Sequence, residues 1–160
     1  MQTSLNFRST SETNYANELV LTYKRTPVLS QDICKTLNNS IKMSNFLRSI
    51  WNDELDIRES FYVVCLNTKL DVVGYKKIAD GGLDAVMVDM RLLFSTALLS
   101  NASKIVVAHN HPSGALSPSN ADLQLTKRIV EAGEVLSVQL LDHIILTSDA
   151  YYSLKDNADM

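Results

Sequence analysis

Two histidines and one aspartate lie close together in the sequence, with types and spacing that suit a metal ion. His109 and His111 are separated by one residue, and Asp122 follows eleven residues after the second histidine. Imidazole and carboxylate are ligands that a catalytic zinc accepts, typically as three protein groups plus a water. Buried histidines also cost desolvation free energy unless a partner satisfies them, and a metal ion does so directly. The pattern therefore predicts a metal site of the catalytic zinc type.

The residues around the histidines predict how they are positioned. Lys104–Ala108 is a short β-branched run, which is typical of a buried strand. Side chains at i and i+2 of a strand point to the same side, so His109 and His111 can converge on one ion while Asn110 points away. The residues Pro112–Gly114 then break the strand.

A predicted helix start brings the carboxylate back towards the histidines. Pro118 precedes Ser119, which is a suitable N-cap, and Asp122 falls in the first turn. Two alternatives remain: Ser119 and Asp122 form only a capping pair, or the histidines are loop residues bonded to the backbone. The order of strand, histidine pair, glycine turn and helix-borne aspartate favours the metal site. One helix start can serve as both cap and ligand.

These residues resemble a known motif. Two histidines one residue apart, followed by S-x-x-D, are similar to the JAMM motif of JAB/MPN-domain metallopeptidases. The resemblance narrows to the RadC branch through residues 108–114 (AHNHPSG), 101–102 (NA), 132–133 (AG) and 141–144 (LDHI), and it runs from about Ser30 to Lys155. It implies a single α/β JAB/MPN domain, with a mixed β-sheet flanked by helices as in the cytidine-deaminase-like fold.

The JAMM motif also requires an upstream glutamate as general base, usually just before the first core strand. Glu59 fits that place because it precedes the apolar run Phe61–Leu66. Glu54 is the competitor, but it lies further from the strand. Without the resemblance, Glu59 would be interpreted as a solvated residue at a strand edge, since exposed glutamates are ordinary.

The resemblance implies a mechanism as well as a ligand set. One zinc ion per chain would be held by His109, His111 and Asp122, and its bound water would lose a proton near neutral pH. Glu59 would accept that proton and deliver it to the leaving amine. The hydroxyl of Ser119 would donate a hydrogen bond to the developing oxyanion. Together these roles describe hydrolysis of a peptide or isopeptide bond.

Other zinc and cysteine hydrolase classes do not match. The chain has no H-E-x-x-H, so it is not a zincin. It also lacks the H-x-E with P-C-x-x-C of nucleobase deaminases. Cys34 and Cys65 are isolated, which excludes a thiolate zinc knuckle. Cys65 lies inside an apolar strand, where buried thiols are usually inert.

The third histidine, His143, lies in the apolar run 140–146. We interpret it as a core or strand-end histidine satisfied by hydrogen bonds, because the motif already supplies three ligands and leaves the fourth position for water. A supporting contact from Asp142 or His143 to a ligand stays open.

Composition agrees with a single intracellular domain. A chain of 160 residues with 46% apolar content can bury one core. Two cysteines without a disulfide pattern predict a reducing compartment. Residues 1–17 are polar and lack the apolar stretch of a signal peptide, and no run is long enough to span a membrane. We expect a flexible tail over 1–17, a RadC-like domain over 18–160, and a cytoplasmic location.

Charge bears on the partners. A net charge of −3 does not suggest a dedicated nucleic-acid surface. The RadC family carries a DNA-repair label, but its longer members have an N-terminal helix-hairpin-helix segment, for which we expect no counterpart in these residues. We expect a peptide or protein-conjugate substrate, with nucleic acid implied only by the family label; the oligomeric state stays open. Two functions remain: a zinc metallopeptidase, supported by the complete motif, or a non-catalytic module for protein interaction or DNA repair.

The remaining patterns predict strands alternating with helices, with helices on both faces of a mixed sheet. Strands are predicted at 19–24, 61–66, 72–78, 83–88, 104–108, 138–147 and 151–154, of which the second and third form a hairpin. Helices are predicted from Ser30 to about Trp51, from Asp89 to Ser100, and from Ser119 to a C-cap at Gly133.

Overall fold

Three helices and five strands make up the described part of the chain, which is residues 36–51, 55–81 and 87–160 of a computed structural model. In chain order these elements are α1 (Ser40–Ile50), β1 (Ser60–Leu66), β2 (Val72–Asp80), α2 (Met90–Leu99), β3 (Lys104–Asn110), α3 (Asn120–Leu136), β4 (Gln139–Leu146) and β5 (Tyr151–Ser153).

The five strands form one sheet in the order β2-β1-β3-β4-β5. Strands β3 and β4 are parallel, whereas the other neighbouring pairs are antiparallel. The central strands β1 and β3 are buried almost throughout, as expected where helices cover both faces. The predicted mixed sheet flanked by helices is therefore confirmed, and so is the β1–β2 hairpin.

Alternation along the central strands divides the core between the two faces of the sheet. Tyr62, Val64 and Leu66 pack in a cluster with α1. Phe61, Val63 and Cys65 pack in the other cluster, with α2 and α3. Strand β3 alternates in the same way, because Ile105 and Val107 lie on the α2–α3 side. His109 continues this set with a period of two, so the strand aims it at the face that carries α3.

The start of α1 differs from the prediction. The helix begins at Ser40 with Asn39 as its N-cap, not at Ser30. The backbone N–H of Leu37 donates to the carbonyl of Leu70 at 2.8 Å, which ties this residue to the β1–β2 turn. The backbone before the helix is therefore committed to the sheet edge, although Leu37 is as buried as the helical core residues.

The predicted C-cap of α3 at Gly133 is also wrong. The helix continues to Leu136 and ends at Ser137, which is left-handed with φ of 57°. Gly133 lies inside the helix, where a Cβ would come within 2.4 Å of the carbonyl oxygen of Val138. Its glycine allows a close approach of backbone, not a helix end.

Other predictions fall wholly or partly outside the described residues: the tail over 1–17, the strand over 19–24, the first residues of the helix predicted from Ser30, Cys34, Glu54 and most of the strand over 83–88. Met87 and Val88, the described end of that last segment, belong to no strand. In the parts of the chain that the structure describes, every helix is too short or too polar to cross a lipid bilayer.

Candidate metal centre

Three of the predicted site residues converge at the end of β3. The Nε2 atoms of His109 and His111 are 2.9 Å apart. The carboxylate of Asp122 places Oδ1 at 3.2 Å from Nε2 of His109 and Oδ2 at 3.7 Å from Nε2 of His111. One ligand atom from each residue lies within 4.8 Å of the others. The three groups could therefore form a metal site.

These ligand atoms fit a cation. Tetrahedral zinc ligands at about 2.0–2.1 Å from the ion are about 3.3 Å from one another. The two Nε2 atoms are 2.9 Å apart, and the separations from Asp122, 3.2 Å through Oδ1 and 3.7 Å through Oδ2, are close to that value. Two imidazoles and a carboxylate also form the mixed nitrogen and oxygen set that zinc accepts. Acceptor atoms that face one another repel unless a proton or a metal ion lies among them. His109, His111 and Asp122 could therefore hold zinc.

Backbone carbonyl groups fix both the main chain and the ring of His111. Its N–H donates to the carbonyl of Leu146 at 2.9 Å, which continues the β3–β4 pairing beyond the strand. Its Nδ1–H donates to the carbonyl of Ala115 at 2.7 Å, so a neutral ring presents a bare Nε2. The chain returns to Ala115 through Gly114, whose φ of 78° suits glycine.

Asp122 is fixed by the start of α3. The Ser119 N–H and Oγ both donate to Asp122 Oδ2, at 2.7 and 2.6 Å, and Asp122 N–H donates back to Ser119 Oγ at 3.2 Å. This capping box leaves Oδ1 facing His109. Burial alone would raise the pKa of Asp122, but the polar contacts with His109, His111 and Ser119 outweigh it and hold the pKa well below its usual range. The carboxylate is thus ionised and ready to bind a cation.

The hydrogen bond to Asp122 is also the main reason that the pKa of His111 is raised, since it stabilises the protonated ring. A protonated His111 would place a positive charge among the converging ligand atoms.

Glu59 lies immediately before β1, next to the histidines. Phe61 pairs with His109 in the antiparallel β1–β3 register, so the register extended by two residues places Glu59 opposite His111. Partial burial raises the pKa of Glu59, while the charges of His109 and His111 oppose this and that of Asp122 adds to it. Glu59 is therefore electrostatically coupled to all three candidate ligands. Its competitor Glu54 lies outside the described residues.

Asn110, between the two histidines, points away from the candidate metal ligands as predicted. Its side chain forms hydrogen bonds with the backbone at and before the start of β1, which the sequence did not predict. Its Oδ1 accepts the N–H of Ser60 at 2.7 Å. Its Nδ2 donates to the carbonyls of Leu55 and Arg58 at 2.7 and 2.8 Å. These bonds fasten the segment that carries Glu59 to the strand that carries the histidines.

His143 and Thr126 complete the surroundings of His109. His143 is fully buried, and its Nε2 lies 2.8 Å from Nδ1 of His109. Its Nδ1 lies 2.7 Å from Oγ1 of Thr126, which is also buried. Burial lowers the pKa of His143 well below its usual value, and the nearby His109 adds to this effect. His143 is thus a satisfied core histidine, as predicted, but it contacts a candidate ligand directly.

Sequence reasoning missed Thr126. The available signal was its position four residues after Asp122, on the same side of a helix. Asp142 takes no part in the centre, because its carboxylate accepts from Ser153 Oγ and from the N–H groups of His143 and Lys155. It ties β4 to β5 and the residues that follow.

Comparison with known proteins agrees with the predicted family and fold. The family described as RadC-like JAB domain matches residues 37–159. The chain is 37% identical over 128 residues to a UPF0758 protein of Thermotoga maritima, covering 80% of this chain and 56% of that protein. It is 40% identical over 126 residues to a UPF0758 protein of Clostridium beijerinckii, covering 76% and 55%. A third UPF0758 protein, from Alkaliphilus metalliredigens, is 45% identical over 103 residues, covering 64% and 44%.

The chain spans about half the length of these curated relatives. The family match, by contrast, covers every described strand, every described helix and the whole candidate centre. The mixed sheet flanked by helices is thus a single JAB domain, and the protein belongs to the RadC-like JAB-domain family.

Proposed function

We propose that this chain is a zinc-dependent hydrolase of peptide or isopeptide bonds, with one zinc held by His109, His111 and Asp122. The observation that supports the proposal most strongly is the convergence of these three ligand groups beside Glu59. When bound there, zinc supplies a hydroxide-like water near neutral pH and a Lewis acid for the scissile carbonyl.

Glu59 is the proposed general base. It takes a proton from the attacking water at its carboxylate and passes that proton to the leaving amine. A general base works best when its pKa lies near the working pH, and burial raises the pKa of Glu59 in that direction. Asn110 holds the backbone on both sides of Glu59, through Arg58 and Ser60, to the strand that carries the histidines.

Ser119 is the proposed donor to the oxyanion. Its hydroxyl donates a hydrogen bond to Oδ2 of Asp122, and the Ser119 backbone N–H donates to the same oxygen. The hydroxyl can therefore turn towards the substrate carbonyl while the N–H keeps Asp122 in place. Such a hydrogen bond to developing negative charge stabilises the transition state.

The proposal is tested by comparing two glutamate variants. The zinc-loaded chain is incubated with fluorescent peptide substrates and with lysine isopeptide conjugates. Glu59→Gln should keep zinc and lose about 10²–10⁴-fold in turnover, because the amide cannot accept the proton. Glu131→Gln, the same change on the exposed face of α3, should match the native protein.

Full activity in Glu59→Gln would show that the base assignment is wrong. Zinc binding by the native chain without turnover of either substrate class would favour the other function, a non-catalytic module for protein interaction or DNA repair.

A further inference from the structure

We propose that Thr126 and His143 act as positioning residues that fix the tautomer and ring orientation of His109, so that its Nε2 lone pair points into the metal centre. The inference rests on the proposed metal site, but it concerns side chains outside the ligand set. A chain of contacts carries it: Asp122 carbonyl, Thr126 hydroxyl, His143 imidazole, His109 imidazole.

Thr126 has one hydroxyl proton and two polar neighbours. Its Oγ1 lies 2.6 Å from the carbonyl oxygen of Asp122 and 2.7 Å from Nδ1 of His143. A hydroxyl has one proton, and a carbonyl oxygen can only accept. The proton therefore lies on the bond to Asp122, and the hydroxyl oxygen must accept from His143. This makes Nδ1 of His143 the protonated nitrogen.

Burial favours the neutral form of His143. Its ring is fully enclosed, and its nitrogens contact the Thr126 hydroxyl and the His109 imidazole. A positive charge enclosed in this way would lose its hydration without gaining a carboxylate partner. The neutral ring with a proton on Nδ1 has a bare Nε2. At 2.8 Å, that Nε2 must accept from Nδ1 of His109.

The position of the proton on His109 determines which of its nitrogens can bind a metal ion. A neutral His109 that donates from Nδ1 has its lone pair on Nε2, which is the nitrogen that faces His111 and Asp122. The ring lies nearly parallel to Phe61, with centroids 6.3 Å apart and planes 9° apart. Hydrogen bonding at one edge and packing on one face thus leave the metal-binding nitrogen aimed at the ligand set.

A pair of threonine variants tests this role. Thr126→Val keeps the shape but removes the oxygen that accepts from His143, so we expect zinc affinity to fall about 10–100-fold, the usual effect of losing a partner behind a metal ligand. Thr126→Ser keeps the hydroxyl and should restore native affinity. Zinc affinity is measured by chelator competition on the full chain.

Thr96→Val is the matched control. The Thr96 hydroxyl makes the same kind of bond, to the carbonyl of Leu92 four residues earlier at 2.7 Å, but in α2 and without a histidine. It should leave zinc affinity unchanged. An equal loss in Thr126→Val and Thr126→Ser, or native affinity in Thr126→Val, would overturn the proposal.

A second readout needs no metal and separates this inference from the metal site itself. Nitrogen-15 NMR of the metal-free protein, labelled at histidine, reports which ring nitrogen carries the proton. The native protein should show His109 and His143 with the proton on Nδ1, and Thr126→Val should shift this distribution. A proton on Nε2 of His109 in the native protein would contradict the inference. Native Nδ1 protonation without any zinc binding would sink the proposed function alone.

Discussion

His109 and His111 are two residues apart in the chain, yet the structure holds them by different means. His109 belongs to β3, is 1% exposed, and meets the side chains of His143 and Phe61. His111 lies beyond the strand, is partly exposed, and donates to the carbonyl of Ala115. One candidate ligand is oriented by side chains, and the other by the main chain.

This difference determines which substitutions should disturb the orientation of each histidine. A main-chain carbonyl remains whatever residue stands at position 115, so the orientation of His111 depends on the backbone path through Gly114. The orientation of His109 depends on the identities of His143 and Thr126, two residues far from it in sequence. Substitutions at Thr126 should therefore act through His109, and changes of backbone conformation should act through His111.

The largest effect on zinc affinity is expected at Asp122, which contacts both histidines. Its Oδ1 faces His109 and its Oδ2 faces His111, so Asp122→Ala removes a ligand and a partner of both histidines. We expect a loss of zinc affinity beyond the about 10–100-fold that loss of an outer partner causes. Ser119→Ala should cost less, because it removes only one of the two hydrogen bonds that Ser119 donates to the Asp122 carboxylate and leaves the carboxylate itself in place. The reverse order in chelator competition would overturn the ligand assignment.

The control for Ser119→Ala is Asn39→Ala, which removes the N-cap of α1 and its bond to the N–H of Lys42. Each cap loss should lower the free energy of unfolding by about 1 kcal/mol. Only the Ser119 variant should also bind zinc more weakly.

Acid should act on the centre through His111. The bond to Asp122 raises the pKa of His111 above the ordinary imidazole value, and a protonated imidazole cannot bind metal. Zinc affinity should therefore fall as the pH is lowered, beginning above about pH 6.5. Asp122 stays ionised over this range because its pKa is held far below it. Chelator competition between about pH 5 and 8 checks this, and an affinity independent of pH would contradict it.

The smallest effect on zinc affinity is expected at Gly114, which influences the orientation of His111 and not that of His109. Gly114 has φ of 78°, and a Cβ there would meet no atom within 4 Å. Gly114→Ala should therefore cost only backbone strain, about 1–2 kcal/mol of unfolding free energy in urea, with a few-fold loss of zinc affinity as the turn to Ala115 loosens. Gly74→Ala is the control, because Gly74 also has open space and lacks the positive φ. Equal stability losses in the two variants would contradict the strain argument.

Local patterns predicted the candidate centre well because its parts are close in sequence. The strand before His109 and the N-cap at Ser119 depend on short-range preferences, and both lie where they were predicted. The histidine pair and Asp122 are brought together by one strand end, one turn and one helix start. The placement of Glu59 needed more, since it depends on the pairing of β1 with β3.

The contact of His143 with His109 could not be predicted, because it depends on strand register. Ile105 pairs with Leu140, but Val106 pairs with Asp142, so the register shifts by one residue. The shift brings His143 level with Val107, on the face of the sheet that carries His109 and α3. Without it, His143 would face α1, since a slip of one residue reverses a strand's sides.

The errors at helix ends have a similar origin. Ser30 and Asn39 are both acceptable N-caps, and the choice of Asn39 is accompanied by the pairing of Leu37 with the distant Leu70. Gly133 has the residue type of a C-cap, but tertiary contact with the backbone of Val138 explains its presence. Local propensity proposes several boundaries, and long-range contacts select among them.

The most direct test of the central claim is the metal content of the chain, purified without chelator or polyhistidine tag and measured by elemental mass spectrometry. About one zinc per chain is predicted, since three protein ligands and a water complete a catalytic zinc site. His111→Ala should lose this zinc, and Thr96→Val should retain it. Absence of zinc from the native chain, even after incubation with zinc and dialysis, would contradict the account.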